Sequence, residues 1–348
     1  MRYFALTSKN RTRRRNAYGF PKLATASNWR HDININDSTP HASIHAANQA
    51  GSFYFPKPAL TLRQQVSHLI EAGLIINDVR FAEYCLANTN YYRLRGFWLT
   101  LENENGNFRE GAKFEDIWSI YELDQELRLW LWKAIGPIEV KLRAQFAYFL
   151  AHYVGPLGYL GEENFKDRNS FSKSIRNFER ERDRARRQSV PYVVHNLNQY
   201  GNLPIWAAVE IMSFGTLSQL YGNLRPETGE TEKHPGVYTS IANAFGMKPT
   251  YLRSWMHHLT TVRNIAGHHD RFYNRAISIR PKLLARDAKY QSNKEFPTFL
   301  IIRNIYELSW PDKWPVVGRE LANILSSHPD VDLKPMGFPK NWKFVLNL

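Results

Sequence analysis

The chain has 348 residues, with 46 Lys and Arg against 32 Asp and Glu, a formal net charge of +14 and a sequence pI near 9.7. That length can bury a large core, and that charge favours a polyanionic partner; no basic amphipathic helix adjoins an apolar anchor, so nucleic acid fits better than a membrane surface. One cysteine, Cys85, excludes an internal disulfide and a Cys-based zinc site, and no apolar run or leader-like N-terminus appears, which predicts a soluble, cytoplasmic chain with no membrane partner.

Residues 1–56 carry Arg11, Arg13, Arg14 and Arg15 and then a Ser-, Asn-, His- and Ala-rich stretch without apolar periodicity. They read as a basic, poorly ordered tail, with non-specific phosphate contact as its functional reading. Order is expected from Pro58, where Leu60, Leu62, Val66, Leu69 and Ile70 fall at helical spacing and Gly73 offers a stop. A short helix follows, with Asp78 as its cap and Phe81, Tyr84, Cys85 and Leu86 on its inner face. The stretch 90–98 mixes aromatics with Arg93 and Arg95, a pattern that serves either base stacking or burial against the next helix. Residues 102–112 read as a turn or small hairpin.

The strongest helical pattern runs over 114–153, where Leu123, Leu127, Leu131, Ile135, Ile138, Leu142, Phe146 and Phe149 recur at three- and four-residue steps. Asp124 with Arg128 and Glu139 with Arg143 form i,i+4 pairs, and Pro137 is expected to bend the helix locally. Residues 176–187, RNFERERDRARR, set six arginines against three acids. Interleaved charge is the look of a solvated helix face, and RNA contact is the other reading. Residues 203–221 predict one core helix, 225–236 a polar loop, and Pro249 the start of a helix with Trp255, Leu259 and Val262 inside. A further apolar segment covers 296–310 and a last helix 316–325. With no strand-rich region, repeat or glycine-rich phosphate loop, the fold class is all-α.

The chemistry concentrates in 262–275, VRNIAGHHDRFYNR. If the helix begun at Pro249 continues through it, Asn264 lies under His268, Arg263 stands one step round, and Gly267 leaves an open notch beside the arginine. An imidazole that titrates near neutrality, an amide that can fix its tautomer and a guanidinium that can grip phosphate bidentately suit a phosphodiester.

Arg263-Asn264-Ile-Ala-Gly-His268 resembles the R-N-x-x-x-H motif of HEPN-type ribonucleases. Its surroundings widen the likeness: Ser254-Trp255, Val262-Arg-Asn and His268-His-x-Arg271-x-x-Asn274-Arg275 resemble the signature of the Abi-like (AbiD/AbiF) abortive-infection family of bacterial phage defence. So do Asn90-Tyr-Tyr-Arg-Leu, the Y-x-x-D-x-x-L-R block from Tyr121 to Arg128, Ile138-Glu-x-x-x-Arg143, Phe214-Gly-Thr-Leu-Ser and Gly337-Phe-Pro-x-Asn-Trp. The resemblance implies a helical bundle of HEPN type with an N-terminal helical extension, the Abi-like domain spanning 57–348 and the HEPN core about 114–280. It implies a metal-independent endoribonuclease without cofactor, acting as a homodimer that pairs two motifs, with RNA as substrate and a regulatory non-coding RNA as a further partner. The departure is Gly267, where members of the family carry alanine; glycine costs a helix roughly 1 kcal/mol against alanine.

In that reading Arg263, Asn264 and His268 are catalytic. His269, Arg271, Asn274, Arg275, Arg93 and Arg128 support them or grip RNA. Attack by the RNA's own 2′-hydroxyl yields a 2′,3′-cyclic phosphate and a 5′-hydroxyl. One histidine does not readily serve as base on one side and acid on the other, so a second chain completes the site. Two alternatives remain open: a non-catalytic RNA-binding protein, and an HD-type metal phosphohydrolase built on His269-Asp270 with His257, His258 or His195.

Overall fold

A computed structural model describes residues 57–348; the basic tail expected over 1–56 lies outside the described residues. Residues 59–348 cluster as one unit. Three short helices lead in: α1 (Leu62–Glu71), α2 (Val79–Thr89) and α3 (Tyr91–Trp98). Thr61 and Gln64 close a reciprocal capping box on α1, and Gly73 beyond its end takes a positive φ of 94°. Asp78 caps α2 by accepting the Phe81 amide at 2.9 Å.

The organising element is α4 (Phe114–Tyr153), 40 residues and so about 60 Å long. Its buried line of Leu123, Leu127, Leu131, Ile135, Ile138, Leu142, Phe146 and Leu150 continues at helical spacing across Pro137 without a break in the helix. Proline withdraws one amide there; one turn earlier, the Tyr306 hydroxyl donates to the Ala134 carbonyl at 2.9 Å. Against α4 pack α3 and six later elements: α7 (Ile205–Ile211), α8 (Phe214–Asn223), α9 (Gly236–Ala244), α10 (Pro249–Gly267), α11 (Phe296–Ser309) and α12 (Trp314–Ser327). Outside this set, α5 (Arg168–Arg187) and α6 (Pro191–Tyr200) pair with each other, and α13 (Trp342–Val345) ends the chain. A two-residue hairpin, β1 (Glu230–Thr231) and β2 (His234–Pro235), sits in the polar loop, and the protein is all-α.

Two expectations need correction. The single core helix over 203–221 is two helices, because Met212 takes an extended φ,ψ of −64°, 137° and Ser213 starts α8 by accepting the Thr216 amide at 3.2 Å. Apolar periodicity passes through such a cap without registering it. The helix carrying the motif ends at Gly267 rather than continuing to Arg275.

His258, on α10, is buried, with Nδ1 on the Ile279 carbonyl and Nε2 2.8 Å from the Thr298 hydroxyl. A carbonyl only accepts, so Nδ1 carries the proton and Nε2 accepts from Thr298. This neutral tautomer is fully satisfied, and burial pushes the imidazole down to about 4 from 6.5. The folded pKa is depressed, so the stabilisation is present above about 6.5 and is lost as pH falls toward 4, where the unfolded chain takes the proton first. His258→Asn has no such proton to take up. Urea unfolding at pH 7 and pH 4.5 should show the stability gap between wild type and this variant narrowing by about 2–3 kcal/mol at the acid value; an unchanged gap would contradict a buried neutral His258.

Candidate functional site

Helix α10 stops in a Schellman arrangement. The His268 amide still bonds the Asn264 carbonyl at 2.9 Å, the His269 amide the Ala266 carbonyl at 3.4 Å, and the Asp270 amide the Ile265 carbonyl at 3.0 Å. The left-handed position usually taken by glycine is His269, at φ 57°, and Asn274 adopts a second positive φ of 49°. Non-glycine residues hold this conformation at a cost, which the surroundings must over-determine.

They do so from α3 and α4. Arg93 donates Nη1 to the His269 carbonyl at 2.7 Å, and Arg128 places Nη1 3.4 Å from the His269 Nδ1. Asp124, wholly buried, accepts the Phe272 and Tyr273 amides on Oδ1 at 2.8 and 2.6 Å and the Arg128 Nε on Oδ2 at 2.8 Å. Burial pushes the Asp124 carboxyl above the ordinary carboxylate range, while Arg128 and the two amides pull the other way. Since every partner is a donor, the ionised form is the one that this cage satisfies. Arg271 turns back on the chain, donating to the Tyr273 and Asn274 carbonyls at 2.9 and 3.0 Å. A Cβ on Gly96 of α3 would lie 3.0 Å from the Arg271 Cδ and Nε, so glycine is what lets α3 approach. At the far end, buried Glu295 accepts the Arg275 amide on Oε1 while its Oε2 has no hydrogen-bond partner among the described residues, and burial lifts its carboxyl to about 7. Arg275 also lies 3.6 Å from Asp270, and Lys294 donates to the Asn274 side chain at 3.0 Å.

The three residues assigned to catalysis lie at the end of α10, Arg263 and Asn264 within the helix and His268 as its C-cap. Arg263 lies with its Cζ 4.7 Å from the Trp132 ring centroid and its Nε 3.4 Å from the Glu139 Oε2. The other Glu139 oxygen holds Arg143, which donates to the Met212 carbonyl at 2.7 Å and to the Val209 carbonyl, capping the end of α7. Asn264 and His268 are exposed, and among the described residues their side chains have no hydrogen-bond partner, so Asn264 does not orient His268 here. The expected notch at Gly267 is filled: a Cβ there would meet Trp132 Cζ3 at 2.7 Å, so glycine makes room for the indole.

Sequence reasoning missed Trp132 and the second duty of Glu139. An apolar residue on the outer face of a helix, at spacing with Leu129 and Val140, was the available signal for Trp132. Treating Glu139 as an intrahelical partner of Arg143 hid its reach to α10. The HD alternative finds no support in its ligands: His258 has both ring nitrogens engaged, and no group of three His, Cys, Asp or Glu side chains among the described residues could hold a metal ion.

The fold and site thus define an all-α protein with an Arg-Asn-His cluster on an exposed helix end, clasped by a long central helix. The Abi-like protein family model matches residues 84–274, more than half of the chain and the whole span from Cys85 to the clasped turn, and the chain belongs to that family. Membership places it in abortive infection, a phage-defence response. No match was found among curated proteins or among solved structures.

Asp124→Asn puts an amide donor among three donors. It should destabilise the protein by about 3 kcal/mol or more in urea unfolding; a loss below about 1 kcal/mol would mean that the clasp does not hold the turn.

Proposed function

We propose that the protein is an abortive-infection endoribonuclease of HEPN type, cutting RNA without a metal through a site that two chains complete, its HEPN core within 114–280. The observation that carries this reading is the grouping of Arg263, Asn264 and His268 at one exposed helix end, with no hydrogen-bond partner for the Asn264 and His268 side chains among the described residues. In the reaction His268 takes the 2′-hydroxyl proton in one protomer, or gives a proton to the departing 5′-oxygen in the other. Arg263 meets the charge that builds on the phosphoryl oxygens. The products are a 2′,3′-cyclic phosphate and a 5′-hydroxyl. Asn264, unbonded to His268 in the free chain, orients it or the phosphate once RNA is seated. A non-coding RNA that restrains the enzyme would co-purify with it and be identified by sequencing.

Support for the dimer comes from the outer face of α4, where Leu129, Trp132 and Val140 are exposed within an arc of about 80°, Val140 by 63%. Trp132 of this row is the residue that backs Arg263. A second copy seated here would bring its own Arg263 toward the first.

Two measurements bear on the proposal. Arg263→Ala and His268→Ala should each lower cleavage of a labelled RNA about a hundredfold or more with an unchanged unfolding transition, and EDTA should leave wild-type cleavage intact. Cleavage surviving both substitutions in folded protein sinks the reading. Val140→Glu, which buries a charge only in the dimer, should yield folded monomer by sedimentation and no cleavage; an unchanged dimer would place the seam elsewhere.

A further inference from the structure

The arginines nearest the motif are poorly placed to supply affinity for RNA. Arg93 and Arg271 bond the protein's own backbone carbonyls, and Arg128 is buried on Asp124. Among the described residues, α5 carries a dense set of cations away from this turn. Lys173, Arg176, Arg180, Arg184 and Arg187 are all exposed and succeed one another at steps of three, four, four and three residues. At 100° per residue they fall within an arc of about 80°, and along the axis they span about 21 Å.

The acids interleaved with them do not neutralise this row. Glu181 turns inward and accepts the Ser213 amide at 3.1 Å at the start of α8, Asp183 pairs with Arg182, which is not in the row, at 3.0 Å, and exposed Glu179 makes no ion pair within 4.0 Å among the described residues. Among the described residues none of the five cations has an acidic partner within 4.0 Å; Arg180 donates to the Asn177 side chain at 2.7 Å and to the Arg176 carbonyl at 3.3 Å. Sequence alone shows six arginines alternating with three acids, whereas in the folded helix Arg176, Arg180, Arg184 and Arg187 stand along one side without an acidic partner within 4.0 Å among the described residues.

We propose that this face of α5 is an RNA-binding track, on which the five cations take the backbone phosphates of one strand. A lipid surface fits less well. The apolar residues of α5 face inward, with Phe171, Phe178 and Ala185 buried and Ile175 packed against the core, which leaves the cationic row flanked by Asn177 and Gln188 on one side and by Glu179 and Asp183 on the other, with nothing to enter a bilayer. An acidic protein fits less well too: four of the five are arginines, whose planar fork matches phosphate, and the adjoining α6 exposes Tyr192 and Tyr200, the latter by 67%, as faces for unpaired bases. The ligand follows the reading of the protein as an RNA enzyme, but the track does not depend on cleavage.

Fluorescence anisotropy with a labelled single-stranded RNA, in full-length protein carrying His268→Ala so that nothing is cut, tests it. The triple variant Arg176→Gln, Arg180→Gln, Arg184→Gln should bind about tenfold more weakly or worse, and its slope of log affinity against log salt should be smaller by about 2. A control triple, Arg319→Gln, Lys340→Gln, Lys343→Gln, removes the same charge from exposed positions elsewhere and should stay within about twofold of the parent. Equal losses in both triples would reduce the effect to net charge and overturn the track, as would unchanged binding in the α5 triple or wild-type binding to phosphatidylserine vesicles but not to RNA. Cleavage is assayed separately with His268 intact. Track-dependent binding without cleavage would remove the nuclease and keep the track; cleavage with track-independent binding would do the reverse.

Discussion

The turn that follows α10 hangs on the Asp124 carboxylate. A buried carboxylate costs several kcal/mol in lost hydration, and it is tolerated because two backbone amides and a guanidinium surround it with charge-assisted hydrogen bonds. Those amides belong to Phe272 and Tyr273, so a side chain on α4 fixes the path of the chain beyond the motif. The path is otherwise unfavourable, with two non-glycine residues left-handed within six positions. Arg128, held by Asp124 and touching His269, and Arg93, bonded to the His269 carbonyl, complete the hold from two other helical positions. His268 is therefore placed by α3 and α4 as much as by its own helix.

Arg263 is governed by a different balance. Its guanidinium lies over an aromatic face and 3.4 Å from Glu139, with about a third of its side chain exposed, so the ion pair is neither buried nor tight. In the proposed reaction an incoming phosphate would meet a guanidinium already oriented but only partly neutralised. Glu139 also serves Arg143, which ties the end of α7 to α4, so the carboxylate stays anchored independently of Arg263. Gly267 belongs to the same balance: glycine costs the last helical turn some stability and admits the indole that backs Arg263.

The sequence made legible what depends on periodicity and caps. The core line of α4, the Asp78 cap and the stop near Gly73 follow from spacing and residue type, and several motif blocks acquire a structural duty. Ser254 accepts the Lys282 amide at 2.8 Å and Trp255 donates to the Lys282 carbonyl at 2.6 Å, which fastens the chain leaving the motif back onto α10. Phe338 of the terminal block packs at a tilt against Phe296 and Phe299 of α11. The break at Met212-Ser213 and the end of α10 escaped because both are decided by tertiary partners. Arg143 receives the carbonyls at the first, and Asp124 with Arg93 holds the second, at separations of 66 to 176 residues. Within the candidate site, the placement of Arg263, Asn264 and His268 near one another was legible from spacing, but the occupant of the Gly267 notch and the second partner of Glu139 were not, since each lies on a face of α4 that local pattern does not assign.

The division of cations follows from the same constraint. A guanidinium that pins a left-handed turn or satisfies a buried carboxylate is not free to follow a flexible strand, so the clasp that shapes the Arg-Asn-His cluster uses up the charge around it. A chain with this architecture gains local geometry at the cost of local grip. Any polyanion it holds must then be held in large part by cations on surfaces without such duties, and in the described residues the outer face of α5 is where they stand in register.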